Sequence, residues 1–569
     1  MIDPETLRRW LPQSVLNLRH YTRADFVHDL MAGVTVGLVA LPLAMAFAIS
    51  SGMPPQSGIA TAIVAGFLIS ALGGSTTQIG GPTGAFVVVV SSIIALYGVD
   101  GLYLCTLMAG LILILLGITG LGSAVRYFPR PVVIGFTNGI AVLIASTQLR
   151  DFFGLTIDHP SSVFLPRLLQ CWRALPSLSL ATTLVGLGTL AIVLVISRIQ
   201  KRAPGAIVAM LLATIVVSVA GLQVATIGSR FGGIPPGFPP LKLPTFRPEL
   251  IHVLLPSAIT VAMLGAIESL LSATVADRMS GARHRPNVEL IAQGIANVAS
   301  PIVGGMPATG ALARTATSIR SGARTPVAGM IHALTLLAVL AFAAPLAKDV
   351  PLAALSAILF VVAWGMGEWR EIPEILKLSR SDKSVWLLTF ALTVFADLTI
   401  AVEAGMILAA LLFIRKVSAT TTISEITEQE IESGREHALE GRSIPSYVSA
   451  FRIQGPFLFG TTDKLEEITA DLDRLGSIVL LRLRNMNAID ATGLQALEDL
   501  ADRLRGSGRT LILCGARGQP ALLMRMAEFD QHVGHENIRP SIASALERVQ
   551  ELAPAHFRAG GGTRIRTGE

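Results

Sequence analysis

Cysteine is nearly absent from this 569-residue chain: Cys105, Cys171 and Cys514 are the whole complement. They lie too far apart to staple a small fold, ligate a metal or form a redox pair, and they read as packing residues. Charge is scarce too. Charged residues make up 15% and aromatic residues 6% of the chain, whereas a soluble globular domain carries roughly 25% charged residues. Water is therefore not its only solvent. The formal net charge of +6 is spread over short loops between apolar runs, which argues against a nucleic-acid interface. The first 29 residues hold Asp3, Glu5, Arg8, Arg9, Arg19, Arg23, Asp25 and Asp29. No apolar core precedes a small-residue cleavage site there, so no signal peptide is expected and the N-terminus is expected to stay cytoplasmic. No nucleophile–base pair or metal-ligand set stands out, so neither an enzyme nor a cofactor is expected.

What the chain has in abundance is apolar sequence: 51% of its residues are hydrophobic and its mean hydropathy is +0.61. Segments of spanning or near-spanning length fall at 30–49, 58–72, 82–97, 102–122, 131–149, 179–197, 205–221, 254–276, 288–303, 309–319, 327–347, 352–367, 384–397 and 400–414. With the N-terminus inside, these fourteen segments put Arg126/Arg130, Arg198/Lys201/Arg202, Arg278/Arg283/Arg285, Arg320/Arg324, Arg370/Lys377/Arg380/Lys383 and Arg415/Lys416 on one side. That is the positive-inside pattern of a multi-pass inner-membrane protein.

Two segments interrupt this apolar sequence in the same way: Gly-Gly-Pro-Thr-Gly-Ala at 80–85 and Gly-Met-Pro-Ala-Thr-Gly-Ala at 305–311. Each precedes an apolar stretch too short to cross, so extended backbone must complete the passage and must line a protein cavity. Thr83 to Thr309 and Pro42 to Glu268 span the same 226 residues. Equal offsets imply two halves of seven segments, and seven being odd, the second half is inverted. A helix that starts inside the membrane aims unpaired N–H groups and the positive end of its dipole at the midplane. Two such ends facing each other make an anion site, with Thr83 and Thr309 as N-caps or ligands and with Gly84, Ala85, Gly310 and Ala311 keeping the backbone approachable. Close packing of small residues is the competing reading.

Charged residues within spans are costly and are candidates for function. Glu268 sits near the middle of its segment with Ser272 one turn on, where a carboxylate can take and release a proton. Arg314, just over one turn into the tenth segment, adds to the positive field or pairs with a carboxylate such as Glu268. Asp397 and Glu403 flank the turn between the last two segments and are expected at the outer interface.

The stretches Gly265–Gly281, Asn287–Asn297 and Gly304–Thr315, with Asp29–Ala46 and Gly81–Gly84, resemble the SulP (sulfate permease) family of anion transporters over the whole membrane region. The resemblance implies a UraA-like inverted repeat in which a core domain moves against a gate domain, and a homodimer. It places the anion between the half-helices of the third and tenth spans, beside Thr83, Gly84, Ala85, Thr309, Gly310, Ala311 and Arg314, with Phe47 nearby. Where many members carry glutamine after the first-span proline, this chain has Leu43, which leaves sulfate, bicarbonate and C4-dicarboxylates open. Within the family, Met263–Leu271, Val224–Ser229 and Pro42–Ala46 look most like the DauA type of proton-dependent C4-dicarboxylate carrier.

Past Lys416 the composition becomes soluble. Residues 417–445 read as a linker, 446–553 as alternating strands and helices of a small α/β domain, and 554–569 as a disordered tail. This domain resembles a STAS domain, a relative of anti-sigma-factor antagonists. Ile489–Leu494 corresponds to the loop that is phosphorylated in antagonists, here at Thr492, and a cytoplasmic protein partner is implied. Asp490 or Thr492 acting only as a helix cap is the plainer reading. The expectation is thus a secondary transporter of a small anion, proton-coupled in preference to sodium-coupled. The alternatives are an uncoupled exchanger or channel, and a membrane-bound STAS sensor or scaffold.

Overall fold

A computed structural model describes residues 10–19, 21–122, 128–158, 160–199, 204–237, 241, 247–396, 398–426, 444–465 and 474–553. Asp397, Arg126, Lys201, Arg202, most of the expected linker and the C-terminal tail lie outside the described residues. The chain divides into two compact units, 1–409 and 410–569.

The first unit is helical because backbone in a water-poor medium must satisfy its own hydrogen bonds. Its first half contains α1 (Gln13–Leu18), α2 (Arg23–Ser50), α3 (Pro55–Leu72), β1 (Gly80–Gly81), α4 (Ala85–Ile118), α5 (Arg130–Phe153), α6 (Phe164–Arg173), α7 (Leu180–Ile199), α8 (Gly205–Ala220) and α9 (Ile227–Phe231). The second half contains α10 (Ile251–Ser280), α11 (Pro286–Ala299), β2 (Thr309–Gly310), α12 (Leu312–Arg320), α13 (Val327–Phe342), α14 (Leu352–Met366), α15 (Ile372–Ile375), α16 (Arg380–Phe395) and α17 (Leu398–Thr420), which runs past the division. By length and composition α2, α3, α4, α5, α7 and α10 are each able to cross a membrane.

Helices occupy every one of the fourteen expected segments, the third and fourth being two arms of α4 bent at Gly98, where φ is 71° and ψ −175°. Two differences have clear causes. Apolar runs alone understate the last pair, because the Ser379 side chain accepts from Asp382 N and starts α16 in polar sequence. α6 gives no spanning signal because it is only ten residues long and holds Arg167 and Arg173, although Leu165, Leu169 and Trp172 share one side at helical spacing.

The two halves pack alike. α2 lies against α13, as its counterpart α10 lies against α4. Between α4 and α11 the backbones touch: a Cβ on Gly110 would sit 2.7 Å from the Gly294 carbonyl oxygen, and one on Gly294 would sit 2.5 Å from that of Gly110. Small residues are what permit so close a crossing. At the centre β1 and β2 pair antiparallel, Gly80 opposite Gly310 and Gly81 opposite Thr309. Equivalent strands that run antiparallel are what an inverted repeat produces.

The second unit contains β3 (Thr422–Glu425), β4 (Val448–Gln454), β5 (Ile478–Asn485), α18 (Ala491–Gly506), β6 (Thr510–Cys514), α19 (Gly518–Met526), α20 (Asp530–Val533), β7 (Ile538–Arg539) and α21 (Ile542–Glu551). The strands form one sheet in that order, with β3–β4 antiparallel and the rest parallel. Alternate residues of β5 enter two cores, Val479, Leu481 and Leu483 on one face and Ile478 and Leu480 on the other. The segment read as a linker at 417–445 instead begins with the end of α17 and with β3. A polar edge strand gives no apolar signal, and it is recognised only by its pairing with β4. Residues 466–473, within the expected α/β domain, lie outside the description.

Candidate functional site

Both breaks fold as extended backbone leading into a helix, but neither threonine caps its helix. The α4 N-cap is Gly84 and the α12 N-cap is Ala311, with no side-chain cap at either. Thr83 Oγ1 donates instead to Glu268 Oε2 at 2.9 Å, and Thr309 Oγ1 to the Gly265 carbonyl at 2.8 Å. Both hydroxyls thus tie the breaks to α10.

The helix ends keep their free donors. At α4, Phe86 N and Val87 N turn back to Thr83 O and Gly84 O, while the amides of Gly84 and Ala85 have no acceptor among the described residues. At α12, Ala311 N is held by Ile79 O and Thr315 N by Ala311 O, which leaves Leu312, Ala313 and Arg314 amides without an acceptor among those residues. Unpaired N–H groups with the helix dipole behind them attract an anion. Leu312 is 42% exposed and Ala85 fully buried, so the two ends differ in access. Gly84 abuts Met366 of α14 and Ile144 of α5, where a Cβ would meet the methionine Sδ at 2.7 Å.

Arg314 spans the two breaks. Its Nη2 donates to the Pro82 carbonyl, its Nη1 has no partner among the described residues, and the residue is 2% exposed. Among the described residues no ion pair joins it to Glu268 or to any other carboxylate. Glycine is required opposite: Gly81 has φ +145°, and a Cβ there would lie 2.5 Å from Nη1.

Ser272 does not join Glu268. It is buried and donates to Thr315 Oγ1 at 3.2 Å, and that same oxygen accepts from Ile79 N at 3.0 Å. Four residues along a helix share a side only approximately, and the short serine side chain turns to α12. Phe47 is buried in the apolar cluster that also holds Ala85 and Phe86. Glu403 is exposed on α17. Three neighbours of the site are singled out by no motif of the sequence. Gln78 donates to Ser269 O and Oγ, both at 3.1 Å. Glu289 is fully buried, and His332, also fully buried, has no partner at either ring nitrogen among the described residues. Glu289 and His332 were legible only as charged or polar letters in apolar runs, the sign that did single out Glu268.

In the second unit Asp490 is the helix cap. Its Oδ1 accepts from Gly493 N at 2.8 Å and its Oδ2 from Phe459 N at 3.0 Å. Thr492, two residues on, is exposed.

Inverted halves whose breaks pair antiparallel at their crossing define the fold of a multi-pass membrane transporter, with a small α/β domain in the same chain. The sulfate permease family model matches residues 26–389 and the STAS domain model residues 443–545. The chain belongs to the sulfate permease family. The "Putative sulfate transporter YvdB" of Bacillus subtilis is 39% identical over 519 residues, covering 91% of this chain and 96% of that protein. The bicarbonate transporter BicA of Synechocystis is 32% identical over 546 residues, covering 92% and 95%. In fold, the murine Solute Carrier 26 family member A9 anion transporter, solved in an inward-facing state, superposes with a TM-score of 0.85 at 17% identity, covering 96% of this chain and 95% of that one.

Proposed function

We propose that the protein is a proton-coupled symporter of a small anion, sulfate, bicarbonate or a C4-dicarboxylate, working by alternating access in a bacterial-type inner membrane with both termini cytoplasmic. The observation that carries this reading is the bond from Thr83 to Glu268, which seats a carboxylate directly on the break whose helix end offers free amides. The anion neutralises those amides and Arg314. Its arrival beside Glu268 favours the protonated carboxyl, because two negative charges at one site repel. Loading of anion and proton is thereby linked. Relatives bearing the names of sulfate and bicarbonate transporters support an anion as cargo. Free helix-end amides select charge more than shape, so they do not choose among these anions. The STAS domain regulates transport through a cytoplasmic protein partner that meets the loop at Asp490 and Thr492, and the working unit is a homodimer. No cofactor is needed.

The test is uptake of labelled sulfate, bicarbonate, succinate and fumarate into proteoliposomes across an imposed pH gradient, with lumenal pH followed in parallel. Wild type acidifies the lumen as it loads anion; Glu268→Gln carries anion without the proton or stops. Undiminished proton-coupled uptake by Glu268→Gln would sink the assignment.

A further inference from the structure

Polar groups are distributed unevenly along the two extended stretches. Residues 304–308, leading to β2, are Gly-Gly-Met-Pro-Ala and carry no polar side-chain N or O, and their backbone is tied at Met306 N to Thr61 Oγ1 at 2.8 Å, at Ala308 N to Asn297 Oδ1 at 2.9 Å, and at Ala308 O, which accepts from Asn297 Nδ2 at 2.8 Å. The stretch 73–79 leading to β1 is different. Among the described residues, its own Ser75 Oγ, Thr77 Oγ1 and Gln78 Oε1 and, beside Glu289, Gln293 Oε1 are buried without a partner, as is Ser318 Oγ on α12. The stretch starts at the basic end of the bundle, where Arg285 N donates to Gly74 O and Arg285 Nη1 to Leu11 O. The proposed orientation puts that end in the cytoplasm. Elsewhere in the described membrane unit, Asn287 Oδ1 is at that same end, Gln56 Oε1 begins α3 at the other, and Arg314 and His332 lie at the crossing.

Beside this stretch stands a fully buried carboxylate. Glu289 Oε2 accepts from Gly74 N at 2.9 Å, and Oε1 accepts from Gln293 Nε2 at 2.8 Å and from Ser269 Oγ at 3.1 Å. Ser269 in turn accepts from Gln78 and follows Glu268 directly in α10. A chain of hydrogen-bonding groups therefore runs from the residue next to Glu268 to the basic end, inside the core rather than through the gap that admits the anion. Buried polar atoms without protein partners are groups that water satisfies.

We infer that the stretch 73–79 is a hydrated proton path and that Glu289 relays the proton between Glu268 and the cytoplasm. The inference rests on the proton-coupled reading above. A proton leaves the Glu268 carboxyl, passes through the Ser269 hydroxyl, the residues beside Gln78 and water by exchange of hydrogen bonds, and protonates the Glu289 carboxylate. Glu289 then releases it at the basic end. Only O–H bonds break and form, and each turn moves one proton and leaves Glu268 ionised. The charged and titratable groups facing this route are Glu268 on α10, Arg314 on α12, His332 on α13, and at the basic end Arg285 with the pair of His284 Nδ1 and Asp277 Oδ2, 2.7 Å apart. The anion and its proton thus leave by separate exits.

Two measurements on the full-length protein in proteoliposomes test this. Single cysteines at 77, 293 and 308, in a variant lacking the three native ones, are exposed to silver ions, which enter narrow wet passages. Modification at 77 and 293 at least tenfold faster than at 308 is expected; equal protection at 77 and 308 overturns the path. In parallel, Glu289→Gln and Ser269→Ala are assayed with the anion that wild type carries. Both are expected to keep exchange of labelled for unlabelled anion at equal pH, with uptake driven by a pH gradient falling at least tenfold in Glu289→Gln and several-fold in Ser269→Ala. Gradient-driven uptake at the wild-type rate in Glu289→Gln overturns the relay while leaving Glu268 as the coupling site. Insensitivity of Glu268→Gln overturns the coupling itself.

Discussion

Replacing Gly81 by alanine tests whether Arg314 must stay wedged between the two breaks. The added Cβ meets Nη1 at 2.5 Å, and φ at this position is +145°. Holding a non-glycine residue in such a backbone conformation costs about 1–3 kcal/mol. The guanidinium must also move, and its bond to the Pro82 carbonyl is charge-assisted, of a kind worth roughly 1.5–3 kcal/mol. Gly98 supplies the control, since it too has positive φ, +71°, but a Cβ there meets nothing within 4 Å. Gly98→Ala therefore carries the backbone term alone. Both variants lose thermal stability in detergent, but only Gly81→Ala displaces the cation. The difference of about 1.5–3 kcal/mol corresponds to roughly a 10- to 150-fold fall in kcat/KM for anion uptake. Uptake by Gly81→Ala equal to that by Gly98→Ala would refute the claim that Arg314 acts from this position.

Two further expectations concern the STAS domain. Asp490→Ala removes the acceptor for Gly493 N and Phe459 N, and should destabilise the domain in the full-length protein by about 1–2 kcal/mol. Urea-dependent proteolysis measures this; Thr492→Ala should leave the midpoint unchanged, and equal losses would contradict the assignment of the cap. Burial pushes the Cys514 thiol from its ordinary 9.0 up to about 12. The folded domain therefore holds that proton where the unfolded chain gives it up, so stability is full below about pH 9 and declines as pH rises toward 12. Maleimide should modify Cys514 only on unfolding, and Cys514→Ala should flatten the alkaline decline; labelling of the native protein at pH 8 would count against it.

Much of this architecture is legible in the amino-acid order, because a bilayer imposes a one-dimensional rule. Apolar runs of near-spanning length mark helices, and the basic loops between them alternate in a way only an even count satisfies. The breaks at 80–85 and 305–311 are legible for a related reason, since glycine and proline in such runs deny the helix its backbone bonds. β3 and α6 were not legible. A polar edge strand and a ten-residue helix interrupted by arginines give no long apolar run, and contacts elsewhere in the chain decide them.

The sequence by itself determined the membrane class, the inverted halves, the two breaks and the carboxylate and guanidinium beside them. Tertiary structure decided what those groups touch. Thr83 and Thr309 turn to α10 rather than capping their helices, Ser272 turns to Thr315, and Arg314 reaches Pro82 rather than a carboxylate. It also set Glu289 against Gly74, Gln293 and Ser269. The reason is physical: hydropathy and helix breaking act locally along the chain, whereas a hydrogen bond is chosen among neighbours that come together only when distant segments pack.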